Sequence, residues 1–276
     1  SYIVAPETAL SGDIQEHDIN HSPTIEIVRT FLNRHPKTEF VSGMSSWRLL
    51  RKDALTSTAR KFPQSDAYYD MYNAAIQVGA ADQPQVYHKS KLVQGVEKMP
   101  FASILKPLEG FALDLGGTIG SLGSQDESSV FQSAVSDFKV APVICYESIY
   151  GEYVASYVQK GANLIFIMTN DGWWDDSPGY KQHLAYARLR AIENRRSIAR
   201  SANTGISCFI NQRGDILNAT EWWQEAVIQG TLNANHELTV YTKAGNYLAR
   251  IASFIAAGLL IFAFVNSRRA NAFSNL

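Results

Sequence analysis

VAPVICYESIYGEYV, residues 140–154, sets the reading of the fold. An apolar run closes on Cys145, and Tyr146 and Glu147 follow where the pattern turns from strand-like to helical. Such a strand-to-helix junction is the building unit of an α/β protein. A cysteine placed there faces a helix N-terminus, whose backbone dipoles favour the thiolate. Taken alone, Cys145 reads first as a small buried apolar residue. What distinguishes the two readings lies elsewhere in the chain.

Working outward, IYGEYVASYVQKG (149–161) reads as a helix with Gly161 as its C-terminal stop. NLIFIMTN (163–170) reads as a strongly apolar strand, and YKQHLAYARLRAIENRRSIARSA (180–202) as one long helix. GISCFIN and DIL then flank the turn QRG, and AVIQGTL (226–232) reads as a last strand. On the N-terminal side, YIVA (2–5) is a short strand ended by Pro6, and TIEIVRTFL (24–32) is a helix entered through Ser22-Pro23. EFVSGMSS (39–46) and YYDMYNAAIQV (68–78) are strands, the second turning through GAADQP into QVYHKSKL as a hairpin. The alternation predicts an α/β domain with a mixed sheet. The aromatic-containing segment 101–115, broken by Pro107, reads as a mobile apolar arm. GGTIGSLG (116–123) lacks the GK[ST] of a P-loop and reads as a flexible loop.

Composition narrows the function classes. A chain of 276 residues, 46% hydrophobic, is ample for one large core. A net charge of −1 with Lys and Arg scattered along the chain supplies no basic stripe for a phosphate backbone, so nucleic acid is not the expected partner. Cys145 and Cys208 are the only cysteines and make no disulfide framework. The six histidines lack ligand spacing, and neither HExxH nor CxxC occurs, so no metal site is expected. No cofactor is expected either.

The C-terminal segment stands apart. IASFIAAGLLIFAFV (251–265) is uncharged, and extending it to 247–266 gives the ~20 residues that a bilayer core needs. Its apolar residues occupy every helical face, unlike the amphipathic helices before it. Arg250 and Tyr247 flank one end, and Arg268-Arg269 the other. The expectation is a catalytic domain over 1–246, a transmembrane helix over 247–266 and a tail over 267–276. The positive-inside rule places that tail in the cytoplasm and the domain on the outer side.

Three polar residues, each following an apolar strand-like run, can make an acyl-transfer centre: Glu7 in APETAL, Lys89 in VYHKSKL and Cys145 in VICYES. A carboxylate can take the thiol proton, an ammonium can hold a developing oxyanion, and a cysteine can form a thioester. Singly, each also reads blandly, Glu7 as a loop carboxylate, Lys89 as a solvated hairpin charge and Glu97 as a surface residue.

In order along the chain, PETAL, YHKSKLVQGVEKMP, ICYESIYGE, TNDGWW, QHLAYARLRAIENRRSIARSANTGIS and QRGDI resemble the nitrilase, or carbon-nitrogen hydrolase, superfamily. The CYE triplet, NDGWW and the ending TVYTKAGN before an apolar helix are similar to the bacterial membrane branch that N-acylates apolipoproteins. The resemblance covers nearly the whole chain. It implies a nitrilase-like four-layer α-β-β-α sandwich with a C-terminal transmembrane helix. It makes Cys145 the nucleophile, Glu7 the general base and Lys89 the oxyanion partner. Glu97 would support Lys89, and Tyr146 and Glu147 match residues that the family needs for activity. Trp173 and Trp174 read equally as site wall or as ordinary packing, and Arg188, Arg190 and Glu193 as scaffold.

The implied reaction is ping-pong: a phospholipid acyl donor gives a Cys145 thioester, and a diacylglyceryl apolipoprotein amine accepts the acyl group. The implied location is the bacterial inner membrane, with the domain on the periplasmic side. Two departures touch the site's surroundings. Gln94-Gly95-Val96-Glu97 stands where the family has Pro-Phe-Gly-Glu, and Ala5 where a tryptophan commonly precedes PE. The fold implied also has a strand and a helix before the strand that carries Glu7, so a chain opening at Ser1 reads as N-terminally truncated. Two alternatives stay open, a nitrilase-like amidase using the same three residues and an inactive membrane-anchored remnant with a binding role.

Overall fold

A computed structural model describes residues 1–80, 83–98 and 121–273. The expected arm at 101–115, most of the loop at 116–123 and part of the turn at 79–84 lie outside these residues.

In chain order the strands and helices are β1 (Tyr2–Val4), β2 (Leu10–Gln15), α1 (Pro23–Asn33), β3 (Glu39–Leu50), β4 (Arg60–Lys61), β5 (Tyr68–Val78), β6 (Gln85–His88), β7 (Phe131–Gln132), β8 (Lys139–Ile144), α2 (Gly151–Gln159), β9 (Leu164–Thr169), α3 (Gly179–Asn194), β10 (Ser197–Ala202), β11 (Cys208–Ile210), β12 (Ile216–Leu217), α4 (Val240–Ala244) and α5 (Tyr247–Phe273). They build two sheets. In the first, β3 carries β1 and then β2, both parallel, along one edge, and pairs antiparallel with β5 along its other edge. β6 and β4 continue β5 on its far side. The second runs β12-β11-β10-β9-β8-β7, with β8, β9 and β10 parallel.

The sheets face one another through β1 on β10, β3 on β9 and β5 on β8. Helix α1 covers the outer face of the first sheet, and α2 and α3 cover the second. This is the expected α-β-β-α sandwich. The side-chain period of two explains how one strand serves two layers. Along β5, Ala75 joins the core between the sheets, while Ala74 and Ile76 pack outward with Ile25 and Leu32 of α1. Strand β9, LIFIMT, is buried at every position, as a central parallel strand covered on both faces should be.

Two expectations are corrected. The long helix over 180–202 is α3 followed by β10. Arg195 adopts the left-handed conformation (φ +50°) and ends the helix. Arg196 then turns inward, fully buried, and donates to the carbonyls of Ala162, Asn194 and Glu237. The apolar spacing of Ile198 and Ala199 continues the helical period by coincidence, and pairing between β9 and β11 overrides it. AVIQGTL forms no strand, and the sheet ends at β12, which pairs with β11. Val227 is 98% exposed, and Gly230 lies against the Phe209 ring, where a Cβ would come within 2.6 Å.

TVYTKAGN anchors the last helix. Thr239 caps α4, Thr242 donates to Asn194 Oδ1 at 3.0 Å, and the Asn246 N–H donates to Glu152 Oε1 at 2.8 Å. From there α5 leaves the domain. Its stretch Tyr247–Ser267 has 21 residues, an 18-residue window within it reaches a mean hydropathy of 2.3, and no position in it is buried. At 1.5 Å per residue it is about 32 Å long, matching the ~30 Å hydrocarbon core. By length and composition this helix can cross a membrane, and it is not the buried terminal helix that a soluble core would need.

Candidate active site

β1 ends where Ala5 and Pro6 bond to β3, the Ala5 N–H donating to Val41 O and the Gly43 N–H to Pro6 O. Gly43 permits that approach, since a Cβ there would lie 2.6 Å from the Glu7 Cα. Glu7 is thereby held over β3 with its side chain buried. Its Oε1 accepts from Asn73 Nδ2 at 2.7 Å and Lys89 Nζ at 3.2 Å, and its Oε2 from the Asn170 N–H at 2.8 Å.

Lys89 follows β6 directly, and its N–H continues the ladder to Asn73 O. The side chain is 1% exposed, and Nζ also donates to Glu97 Oε1 at 2.9 Å. The turn Val93–Lys98 delivers Glu97, whose Oε2 accepts from the Val93 N–H. Gly95 takes the positive φ of that turn, so Gln94-Gly95-Val96 still presents the second carboxylate to the lysine. Burial alone would favour a neutral amine at Lys89. The Glu7 carboxylate, Cys145 and Glu97 outweigh it and hold the group protonated, above the ordinary lysine range.

Cys145 closes β8 and opens a single 3-10 turn, Cys145–Ile149, with α2 beginning only at Gly151. Its own φ is +47°, a left-handed conformation that costs a residue with a Cβ ~1–2 kcal/mol. The expected thiolate at a helix N-terminus is corrected here. Burial, and then the Glu7 charge, push the thiol up to about 12, against Lys89 and a hydrogen bond from Thr169. Cys145 therefore rests as the thiol.

Glu7, Lys89, Glu97 and Cys145 line one cavity of about 460 Å³. Tyr146, Trp173 and Trp174 line it too, and Trp173 is 64% exposed, so the tryptophan pair forms a rim rather than core packing. Much of the remaining wall is apolar, including Met71, Tyr72, Val93, Val96 and Leu122. Arg188 and Arg190 are bonded to the carbonyls of Gly214 and Ile149, as scaffold. Cys208 is buried on β11 and is absent from the cavity wall. Among the described residues no cluster of His, Cys, Asp and Glu could hold a metal ion.

Glu147 sits beneath the site rather than in it. Fully buried, it accepts from the Ile144 N–H at 2.9 Å, the Ser90 N–H at 2.7 Å and the Tyr87 hydroxyl at 2.5 Å. It thus fastens the residue before Cys145 to the residue after Lys89. Glu147→Ala leaves the Ile144 and Ser90 N–H groups without their acceptor at ~1–3 kcal/mol each, while the Tyr87 hydroxyl keeps Tyr153 at 2.7 Å. The expected loss is at least ~2 kcal/mol, or about 4–8 °C in thermal midpoint for a chain of this size. Thermal unfolding in detergent measures it, and a shift of under 3 °C would refute the fastening role.

Several site residues escape a reading of sequence alone. Asn73 spends both amide hydrogens on Glu7 and Glu97, at 2.7 and 2.6 Å, and so holds the two carboxylates on one lysine. Its signal is a polar side chain in an otherwise apolar stretch of β5. Asp171, His183 and Arg200 form a second buried group beside Cys145. NDGWW, the QH of α3 and the arginine inside SIARSA were their traces in the sequence.

Glu7, Lys89, Glu97 and Cys145 thus form one buried cluster on a four-layer sandwich. The carbon-nitrogen hydrolase family model matches residues 2–238, and the chain belongs to that family. By sequence it is similar to the apolipoprotein N-acyltransferase of Chlorobaculum tepidum, 36% identical over 270 residues, covering 96% of this chain and 50% of that protein. The Vibrio vulnificus apolipoprotein N-acyltransferase is 30% identical over 240 residues, covering 84% of this chain and 46% of its own. The chain therefore spans about half the length of these curated relatives. Among solved structures, a Saccharomyces cerevisiae member of branch 10 of the nitrilase superfamily superposes with a TM-score of 0.53 at 16% identity, covering 82% of this chain and 74% of that one. That likeness concerns the fold.

Proposed function

We propose that the chain carries the catalytic domain of a membrane acyltransferase that N-acylates the N-terminal diacylglyceryl-cysteine of apolipoproteins. The observation that carries the reading is the convergence of Glu7, Lys89 and Cys145 on one largely apolar cavity, in a chain that continues into a bilayer-length helix. The names of the relatives agree with it.

In the first half-reaction, Cys145 Sγ attacks an ester carbonyl of a phospholipid while Glu7 takes the thiol proton. The tetrahedral oxyanion forms beside the Lys89 ammonium, which Glu97 and Asn73 keep in place. The ester C–O bond breaks, and the lysophospholipid leaves with the proton from Glu7. In the second, the diacylglyceryl-cysteine amine attacks the thioester and gives its proton to Glu7. The amide forms as the thioester C–S bond breaks, and the departing sulfur regains that proton. In this reading α5 spans the bacterial inner membrane, the domain lies on the periplasmic side and the C-terminus is cytoplasmic.

Protein purified with phospholipid and analysed by intact mass is expected to carry an acyl adduct on Cys145. The adduct is expected to vanish in Cys145→Ala and to persist in Cys208→Ser, whose thiol is buried outside the cavity. No adduct on the wild-type protein, or equal loss in both variants, would overturn the proposal.

A further inference from the structure

The Cys145 carbonyl, and not only its thiol, is the meeting point of a buried network. Ser148 Oγ donates to that carbonyl at 2.8 Å, and His183 Nε2 stands 3.1 Å from it and 2.8 Å from Ser148 Oγ. His183 lies on α3, buried, with its other nitrogen Nδ1 at 2.9 Å from Asp171 Oδ1. Asp171 is fully buried in the turn Asp171–Trp174. Its Oδ1 also accepts from Thr169 Oγ1 at 3.0 Å, and its Oδ2 from Arg200 Nη2 at 2.7 Å. An ionised carboxylate only accepts, so Nδ1 carries its proton toward Asp171, and Nε2 faces the cysteine turn as an acceptor, with the single Ser148 hydroxyl hydrogen shared between Nε2 and the Cys145 carbonyl.

This arrangement has more parts than a core histidine needs. Four segments, the Cys145–Ile149 turn, the end of β9 with its following turn, α3 and β10, each contribute a buried polar group, and the chain of contacts ends on the cysteine's own backbone. A buried ion pair at a packing interface is often replaceable by apolar side chains without loss of stability, so stability alone does not account for it. What it does hold is Cys145 at φ +47°. Relaxing that left-handed residue to negative φ swings the peptide that follows it, which breaks the contacts of its carbonyl with Ser148 and His183. The same movement displaces Sγ, which lines the cavity together with Lys89 and Glu7.

We infer that His183 is a positioning residue for the nucleophile: oriented by Asp171 and Arg200, it holds the Ser148 hydroxyl against the Cys145 carbonyl and so keeps the thiol aimed into the cavity. The inference rests on Cys145 being the nucleophile. It is tested by timing the alkylation of Cys145 by iodoacetamide, by intact mass, on the whole chain in detergent with Cys208→Ser as background. Two substitutions separate the two ring nitrogens. His183→Asn retains an amide near Asp171 but falls short of Ser148, whereas His183→Gln reaches Ser148 and gives up Asp171. The expected result is a fall of tenfold or more in alkylation rate for His183→Asn, with His183→Gln recovering to within about threefold of the parent. Ser148→Ala, which removes the hydroxyl between ring and carbonyl, is expected to fall as His183→Asn does and serves where His183→Asn does not fold. Parent-like rates in His183→Asn or Ser148→Ala would overturn the inference, as would equal losses in His183→Asn and His183→Gln. A mass increment that persists in Cys145→Ala would count instead against the nucleophile assignment itself.

Discussion

Lys89→Met is expected to abolish acyl transfer and to destabilise the domain in the same stroke. The ammonium is 1% exposed and is hydrogen-bonded to Glu7 and Glu97 at 3.2 and 2.9 Å. Both carboxylates also share the Nδ2 of Asn73, so they are held close together. Removing the cation leaves two buried like charges facing each other. Truncating one partner of a buried ion pair costs about 3–5 kcal/mol, and a methionine of similar length fills the space without restoring a donor. The catalytic loss adds to this, since one oxyanion donor alone is worth roughly 10²–10³ in rate. Lys89→Arg is not expected to rescue, because the planar fork of a guanidinium cannot occupy a point-charge site between two carboxylates and a sulfur. The measurements are thermal unfolding and formation of the Cys145 acyl adduct. A Lys89→Met protein that unfolds within 3 °C of wild type, or that still acylates, would show that the lysine neither binds the two carboxylates nor serves the oxyanion.

The contrast between Lys89 and Asn73 shows what a sequence can and cannot disclose about such a site. Glu7, Lys89 and Cys145 were legible because each ends an apolar run, and strand ends are where an α/β sandwich presents polar side chains. Strand β5 was legible to its last residue because alternation and turn chemistry agree there. Asn73 was not, because its meaning depends on Glu7, 66 residues earlier, and Glu97, 24 later. His183 was hidden for the same reason, its partners being Asp171, Arg200 and the Cys145 carbonyl on three other segments. The α3–β10 boundary failed differently. Ile198 and Ala199 extend a helical period, and only the left-handed Arg195 and the open ladder position beside β9 decide for a strand. The state of the thiol was misread because local dipoles suggest a thiolate, whereas burial and the Glu7 charge, both tertiary, push it up to about 12.

That elevated thiol gives the clearest test of Glu7. A thiol pushed up to about 12 is protonated at pH 7. If Glu7 takes the proton as Sγ attacks, the reactive species is the neutral thiol, and its rate does not depend on hydroxide. Alkylation of wild-type Cys145 by iodoacetamide is then expected to be nearly flat from pH 7 to 9. In Glu7→Gln the base is gone while one acceptor oxygen is kept for the Asn170 N–H, and thermal unfolding measured beside the rates reports what the loss of the Oε1 acceptor toward Asn73 and Lys89 costs the fold. Only the ionised fraction then reacts, and the rate at pH 7 is expected to fall by roughly 10²–10⁴, the usual weight of a general base. It should climb about tenfold per pH unit, since each unit multiplies the thiolate by ten while pH lies below the thiol's pKa. The sign of the secondary shift is fixed as well. After burial, the Glu7 charge is the largest influence raising the thiol, and Lys89 opposes it. Removing the carboxylate therefore lowers the thiol from about 12, and the variant's profile levels off earlier than an unassisted wild-type thiol would. A wild-type rate that already climbs tenfold per unit from pH 7 would mean that Cys145 reacts as a free thiolate, and that Glu7 orders the site without taking its proton.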